Sequence, residues 1–301
     1  MSAFFSVCID ATNRHETIIE CLESVYRQDF MDYEVIICDA STDFACFNAV
    51  AKWISSKADS RFKLFKTSRV NGESEIANWN RPIEKAGGHF IAMLEGDDFY
   101  HKGHLLSAFE ALNKQSDVRL FFSRGTSAPN FSLLSEVKFQ YIQHKNELLL
   151  SDLLKFNWCP VPSVTVFPRL IQNLPIKYNE EALWAAEYYL YYNLLTLPGT
   201  VVIEGAQTTV FRSPSTGTRN SFHLMDAENF LSLFGEKLEH NQLQEAQMKL
   251  KLWSIDYLYQ NARLGRFDSG SVRILFKYSN KLEGVYVLFR VLIIHLGRIF
   301  P

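Results

Sequence analysis

The sequence predicts an α/β protein with a mostly parallel central sheet flanked by helices, extended at its C-terminal end by further helices. Over the first 122 residues, short apolar runs rich in strand formers alternate with segments of helical spacing. The runs are apolar on both faces, as strands of a parallel sheet covered by helices must be. Three of them end directly in acidic residues: Asp10, Asp39 and the stretch from Glu95 to Asp98. Such sheets bind ligands beyond the carboxyl ends of their strands, near the switch in strand order, so these carboxylates mark the candidate site.

Phe4 to Ile9 is the first strand run, closed by Asp10-Ala11-Thr12-Asn13. Ile18, Ile19, Leu22, Val25 and Tyr26 then recur at helical spacing between Glu16 and Gln28. Tyr33 to Cys38 is a second strand, Phe47 to Ser55 a helix and Phe62 to Phe65 a short third strand. Asn71 to Ala86 reads as loop then helix, Gly87-Gly88 ends it, and Phe90 to Leu94 is the fourth strand. Leu120 to Phe122 is a fifth. Leu148 to Phe156 reads as helical, Trp158 to Pro168 as Pro-rich and irregular, and Glu180 to Leu195 as an aromatic helix. Thr200 to Arg212 holds strand-like segments, residues 222 to 264 are helical, and further apolar helix follows from about residue 270. The expected division is a domain over residues 1–220, with halves 1–122 and 123–220, and a helical extension over 221–301.

An apolar fraction of 47% suffices for a packed core and excludes a disordered chain. A formal charge of -2 leaves no electrostatic footprint for nucleic acid. Cys8, Cys21, Cys38, Cys46 and Cys159 form no CxxC pair and are odd in number, which argues against a disulfide framework or zinc site and for a reducing compartment. Met1 to Phe5 lacks the basic start of a signal peptide, and every stretch of about 18 residues carries charge, so a spanning helix is not expected. The expected location is the cytoplasm or the inner face of the membrane.

An acidic-x-acidic triplet at a strand end suits a divalent metal. A hard ion such as Mg²⁺ is held by one or two carboxylates plus the oxygens of a bound diphosphate. In extended backbone Glu95 and Asp97 point to one side, while Asp98 turns away toward the following loop. A solvated acidic turn is the plainer reading of the same residues.

Four segments and the triplet bring a resemblance. Phe5-Ser6-Val7-Cys8-Ile9, Glu23 to Phe30 and Tyr33 to Asp43 match in order the opening pattern of glycosyltransferase family 2, and Asn78 to Ile91 resembles the family's "NWNRAIExAKGEYI" segment. The match runs in register over roughly the first 105 residues. It implies the GT-A fold and a metal-dependent, hexosyltransferase-like enzyme with Mg²⁺ or Mn²⁺ as cofactor. It also implies inverting transfer from a nucleotide-sugar, with UDP the nucleotide, to a glycan or lipid-linked saccharide in surface polysaccharide synthesis.

Carried over by position, Asp39 would accept from the nucleobase and Asp10 and Ala11 would line the same pocket. Arg69 would reach the diphosphate, Asn78 and Gly96 would contact the nucleotide, and Asp97 with Glu95 would hold the metal. Glu187, in Ala186-Glu187-Tyr188-Tyr189-Leu190, stands where the family has its catalytic base. Asp98, His101 and Arg212 are candidate acceptor or phosphate contacts. The chain departs from the pattern at Asp10-Ala11, at Cys38, at Glu95 and at Ala186, where the family has an acid. Those departures leave open a non-catalytic relative acting as a binding or assembly module. The loop Asp10 to Arg14 has no glycine, which argues against a nucleotidyltransferase.

The tail from Val285 to Phe300 reads as an amphipathic helix whose Arg290 and Arg298 lie about 80° apart on a helical wheel. It suits an anionic membrane surface, its own domain or a second subunit, and all three readings stay open.

Overall fold

The computed structural model describes residues 2–70, 73–114, 117–127, 141–144, 146–156, 159–182, 186–212, 221–263, 266 and 269–299, with the side chains of 126–148, 204–207, 211, 221–223 and 295–299 left aside. The first part alternates as expected: β1 (Phe5–Asp10), α1 (Ile18–Tyr26), β2 (Tyr33–Asp39), α2 (Ala45–Lys57), β3 (Phe62–Lys66), α3 (Ile76–Lys85) and β4 (Phe90–Glu95). Next come β5 (Phe99–Tyr100), α4 (His104–Lys114), β6 (Val118–Ser127), β7 (Tyr141–His144) and α5 (Asn146–Leu154). β8 (Thr165–Pro168), the small hairpin β9 (Leu170–Ile171) and β10 (Leu174–Pro175), α6 (Ala186–Thr196) and β11 (Thr200–Phe211) complete the sheet region. The C-terminal helices are α7 (Ser221–Phe234), α8 (His240–Arg263), α9 (Ser269–Tyr278) and α10 (Lys281–Ile299).

The main sheet runs β3-β2-β1-β4-β8-β6-β11-β5, with β7 also paired to β11. It is parallel from β3 to β4 and turns mixed beyond, where β8 lies antiparallel to both β4 and β6. The expected parallel sheet is therefore the half from β3 to β4. β8 falls in the stretch read as irregular. Pro168 is tolerated there because it ends the strand, and the buried run Thr165 to Pro168 becomes a strand through its neighbours. α4 and β7 are further elements that the sequence reading did not assign.

Strand alternation sends the side chains to two cores. Val7 and Ile9 of β1 and Ala92 and Leu94 of β4 join α1, α2 and α4 through Leu22, Val50 and Leu105. Cys8, Ile91 and Met93 face the other way, into a cluster with Ile83 of α3, Leu153 of α5, Leu190 of α6 and Phe230 of α7. Each such aliphatic side chain, taken fully from water, contributes roughly 1.5–3 kcal/mol. Together they fix the carboxyl edge of the sheet as a rigid platform.

Candidate functional site

At that edge, parallel register sets Asp10 level with Cys38 on one side and Glu95 on the other. β2 and β3 lie to one side of β1 and β4 to the other, so strand order switches here. A cavity of about 240 Å³ opens at this point, lined by Asp10, Thr12, Asn13, Arg14, Arg69, Glu75, Ile76, Asn78, Trp79 and Glu95. This is the place an open α/β sheet offers a ligand.

The loop after β1 forms one wall. Asp10 Oδ1 accepts from the Thr12 amide at 3.0 Å and the Thr12 hydroxyl at 2.6 Å. Burial raises the proton affinity of Asp10, while these bonds and the Arg14 and Arg81 charges oppose the rise. Asn13 takes a left-handed φ of 59°, a conformation asparagine adopts more readily than most residues. Its amide donates to Ser41 Oγ at 2.8 Å, which ties this loop to the one after β2.

The acidic turn forms a second wall. A side chain at Gly96 would put its Cβ 2.6 Å from the Asp10 carbonyl oxygen and 3.1 Å from Arg14 Cγ, so glycine lets the two loops touch. The Gly96 carbonyl accepts from the Thr17 hydroxyl at 2.9 Å. Arg14 then reaches along the wall, its Nε 3.5 Å from Asp97 Oδ1 with both side chains partly exposed. Ser163, fully buried just before β8, accepts from the Glu95 amide at 3.0 Å. The same serine hydrogen-bonds the Asp98 side chain. Burial first, then the Asp97 charge, pushes Asp98 up to about 7, although the bonds to Ser163 and the Arg212 amide hold it down.

Glu95 lies deeper. Withdrawal from water raises its proton affinity well above the ordinary carboxylate range, and the Asp98, Asp97 and Glu187 charges add to this. Among the described residues no group of three His, Cys, Asp or Glu side chains gathers to hold a metal. Glu95 and Asp97 supply two hard oxygen donors. That set fits Mg²⁺ or Mn²⁺ completed by phosphate oxygens, and a divalent charge would relieve the repulsion among these carboxylates.

The other expected residues separate into two groups. Asn78 and Arg69 line the cavity: Asn78 accepts from Arg81, and Arg69 lies 3.7 Å from Glu75. Arg212, at the end of β11, donates to the Asp97 carbonyl oxygen at 3.4 Å and pairs with Glu20, so it braces the turn that carries the triplet. Ala11 and Asp39 are instead sealed beneath the cavity. The Ala11 amide donates to the Cys38 carbonyl at 2.9 Å. Asp39 is 0% exposed, with one oxygen held by Ser41 and the other 3.2 Å from Lys66 Nζ. The backbone of His101 is clasped by Thr208 and Gln28, and its ring is not on the cavity wall. His104 is fully buried and stacked on Tyr100 with ring centroids 3.9 Å apart; burial lowers it to about 3, so it is neutral.

Glu187 sits in the first turn of α6, and burial, with Asp226 adding, pushes its carboxyl up to about 7. Its Oε2 is buried with no hydrogen-bond partner among the described residues. Because its charge raises Glu95, which lines the cavity, the two carboxylates share one neighbourhood. The sequence reading missed Arg14, Trp79 and Ser163. Trp79 sat inside a quoted motif, and a tryptophan on a helix facing a strand edge was its available signal. Nothing local marked Ser163.

The sequence profile of glycosyl transferase family 2 matches residues 6–156, just over half of the 301 residues. The chain belongs to that family. The amylovoran biosynthesis glycosyltransferase AmsB of Erwinia amylovora is 34% identical over 121 residues, which cover 38% of this chain and 38% of AmsB. A GalNAc(5)-diNAcBac-PP-undecaprenol β-1,3-glucosyltransferase of Campylobacter jejuni is 27% identical over 109 residues, covering 36% of this chain and 34% of the relative. The chain thus matches well under two thirds of either relative's length. S. aureus TarS in complex with UDP superposes with a TM-score of 0.60 at 14% identity, over 98% of this chain and 89% of that one. The mannosyltransferase PcManGT of Pyrobaculum calidifontis, in complex with GDP-Man and Mn²⁺, gives 0.61 at 15%, over 98% and 88%. At such identity these neighbours establish the fold, the GT-A arrangement that the family motifs implied.

Proposed function

We propose that this family 2 chain is an inverting glycosyltransferase. It would take a sugar from a nucleotide donor, with UDP the nucleotide, and pass it to a hydroxyl of a glycan or lipid-linked saccharide in surface polysaccharide synthesis. The observation that carries the reading is Glu187 at the start of α6, its Oε2 buried with no hydrogen-bond partner among the described residues, in electrostatic reach of the acidic turn at the strand switch. A base poised near neutrality beside a diphosphate site is what this chemistry needs.

Asp10, Thr12 and Asn78 border the nucleotide, and Trp79 offers an apolar ring face. Asp39 acts one layer down, holding Ser41 and Lys66 so that the base side of the pocket keeps its shape. Arg14 and Arg69 place positive charge along the diphosphate. Glu95 and Asp97 would hold Mg²⁺ or Mn²⁺ with diphosphate oxygens, and the ion would neutralise charge on the leaving group. Glu187 takes the proton of the acceptor hydroxyl as its oxygen bonds to the anomeric carbon from the face opposite the diphosphate. The bond from that carbon to the diphosphate oxygen breaks, and the proton stays on Glu187.

No described helix is long and apolar enough to cross a membrane. α10 nevertheless turns Leu282, Val285, Tyr286, Phe289, Leu292 and Ile293 to the outside. That face, edged by Arg290 and Lys281, suits the surface of an anionic bilayer and hence a lipid-linked acceptor.

Calorimetry with UDP, with and without Mn²⁺, tests the assignment together with hydrolysis of UDP-sugars. Binding is expected to strengthen with Mn²⁺, and Asp97→Asn is expected to weaken it by more than about tenfold. No heat with UDP in either condition would overturn the donor. Background hydrolysis at equal rates in wild type and Asp97→Asn would favour the binding-module reading.

A further inference from the structure

A second cavity, of about 320 Å³, lies on the far side of the loop that precedes α6. Its wall carries Asn179, Glu181, Tyr189, Asp226, Asn229 and Ser232. Resting on the transferase reading above, we infer that this cavity binds a sugar unit of the acceptor, one removed from the hydroxyl that reacts.

The lining is of the right chemistry. Asn229, Ser232 and the carboxylate of Asp226 supply donors and acceptors matched to hydroxyl groups. Tyr189 offers an aromatic face, its ring steadied edge-on by Phe230 at 5.4 Å and Phe234 at 6.2 Å. Burial, with Asp226 and Glu181 adding, pushes the Tyr189 hydroxyl up to about 12, so it stays a donor at neutral pH. Glu181 and Asp226 make the wall acidic, which selects neutral or amino sugars and turns away phosphates and nucleotides. The size falls at the lower end of the roughly 300–1,000 Å³ of small-ligand sites.

The position fits too. The dividing loop is pinned to α3, the helix whose other residues line the donor cavity. Asn80 brackets Tyr178 with bonds of 2.9 Å to its amide and its carbonyl, and reaches Glu180 at 2.8 Å. The Ser74 hydroxyl donates to the Ala182 carbonyl at 3.0 Å, beside Glu75 and Ile76 of the donor wall. Asp226 in turn lies close enough to Glu187 for its charge to raise that carboxyl. A saccharide seated in the second cavity is thus one short loop from the donor and electrostatically adjacent to the base.

Saturation-transfer NMR tests this on the full chain. The probes are methyl glycosides and disaccharides of glucose, galactose, N-acetylglucosamine and galactosamine, run against wild type, Asn229→Ala and Ser232→Trp. Both substituted residues are exposed, so the fold is expected to persist, and a UDP/Mn²⁺ titration of each protein checks it. The expected result is saccharide signal with wild type, weakened at least about tenfold in Ser232→Trp and less in Asn229→Ala, with nucleotide affinity unchanged. Nucleotide binding without signal from any saccharide overturns the subsite and leaves the transferase reading standing. Signal that survives Ser232→Trp at full strength also overturns it. Saccharide binding lost in Ser232→Trp, in a wild-type chain that binds no UDP, supports a saccharide site in this cavity and overturns UDP as the donor.

Discussion

A carboxylate in the position of Glu187 is costly to ionise. One oxygen has no hydrogen-bond partner among the described residues, and the Asp226 charge lies nearby. Its folded value of about 7 lies above the ordinary 4.5. Between those values the folded chain holds a proton that the unfolded chain has released. Stability contributed by the protonated form is therefore complete below the lower value and is lost as pH rises toward 7. Activity runs the other way, since the base form appears only as pH passes 7. Glu187→Gln keeps the shape and removes the charge. We expect it to lower turnover by about 10²–10⁴-fold, and to raise stability at pH 8 by roughly 1–3 kcal/mol with little change at pH 4. Urea titrations at the two pH values, beside a wild-type rate profile inflecting near 7, check both halves. A variant that turns over at the wild-type rate removes Glu187 as the base.

Among the elements, α10 is the outlier, because an amphipathic helix should hide its apolar face. Val287 and Val291 do pack against Leu258 and Leu275, yet Leu282 is 84% exposed and Phe289 is 61% exposed on the opposite face. Co-sedimentation with vesicles of anionic lipid should retain the chain. Phosphatidylcholine vesicles should retain much less, and Phe289→Glu should abolish binding; about 1 kcal/mol per flanking cation sets the scale. Equal retention by both lipids would sink the electrostatic part of this, and a dimer in solution that Phe289→Glu splits would assign the face to a second copy. The apolar pattern of this helix was legible in the sequence, as were β1 to β4, because each is a local signal. β8 was not: its strand character comes from lying between β4 and β6, a relation spanning dozens of residues. Asp39 shows the same limit at the site. An aspartate after a strand looks like a ligand group, and only the fold brings Lys66 to occupy it. Asp10 and Glu95 were legible because parallel register alone makes two strand ends neighbours.

At the scale of the whole molecule, the helices after residue 220 are not one appendage. α7 and α8 are built into the larger core: Phe230 contacts Phe156, Tyr188, Tyr189 and Tyr192, while Leu224, Ala246 and Leu250 join the cluster that also holds Met93 of β4. α9 is tied in through Glu228, 5% exposed on its side chain, which accepts from Arg273 at 2.7 Å and Lys277 at 2.6 Å. Among the described residues α10 is held by the small cluster of Leu258, Ala262, Leu275, Val287 and Val291 and by the Lys251–Glu283 pair at 2.6 Å. The two possible cuts should therefore behave differently. Ending the chain at residue 280 gives up part of that small cluster, and the product should still melt cooperatively and bind UDP with Mn²⁺ at near wild-type affinity. Ending it at residue 220 strips the aromatic seat of α6, and with it the support of Glu187. Losing Phe230 alone from such a core costs about 3–5 kcal/mol, a large share of the stability of an ordinary domain. That product should show no cooperative melt by circular dichroism and no nucleotide binding. A fragment 1–220 that melts cooperatively and binds UDP would mean instead that the nucleotide-binding sheet is an independent unit and the helices a true second domain.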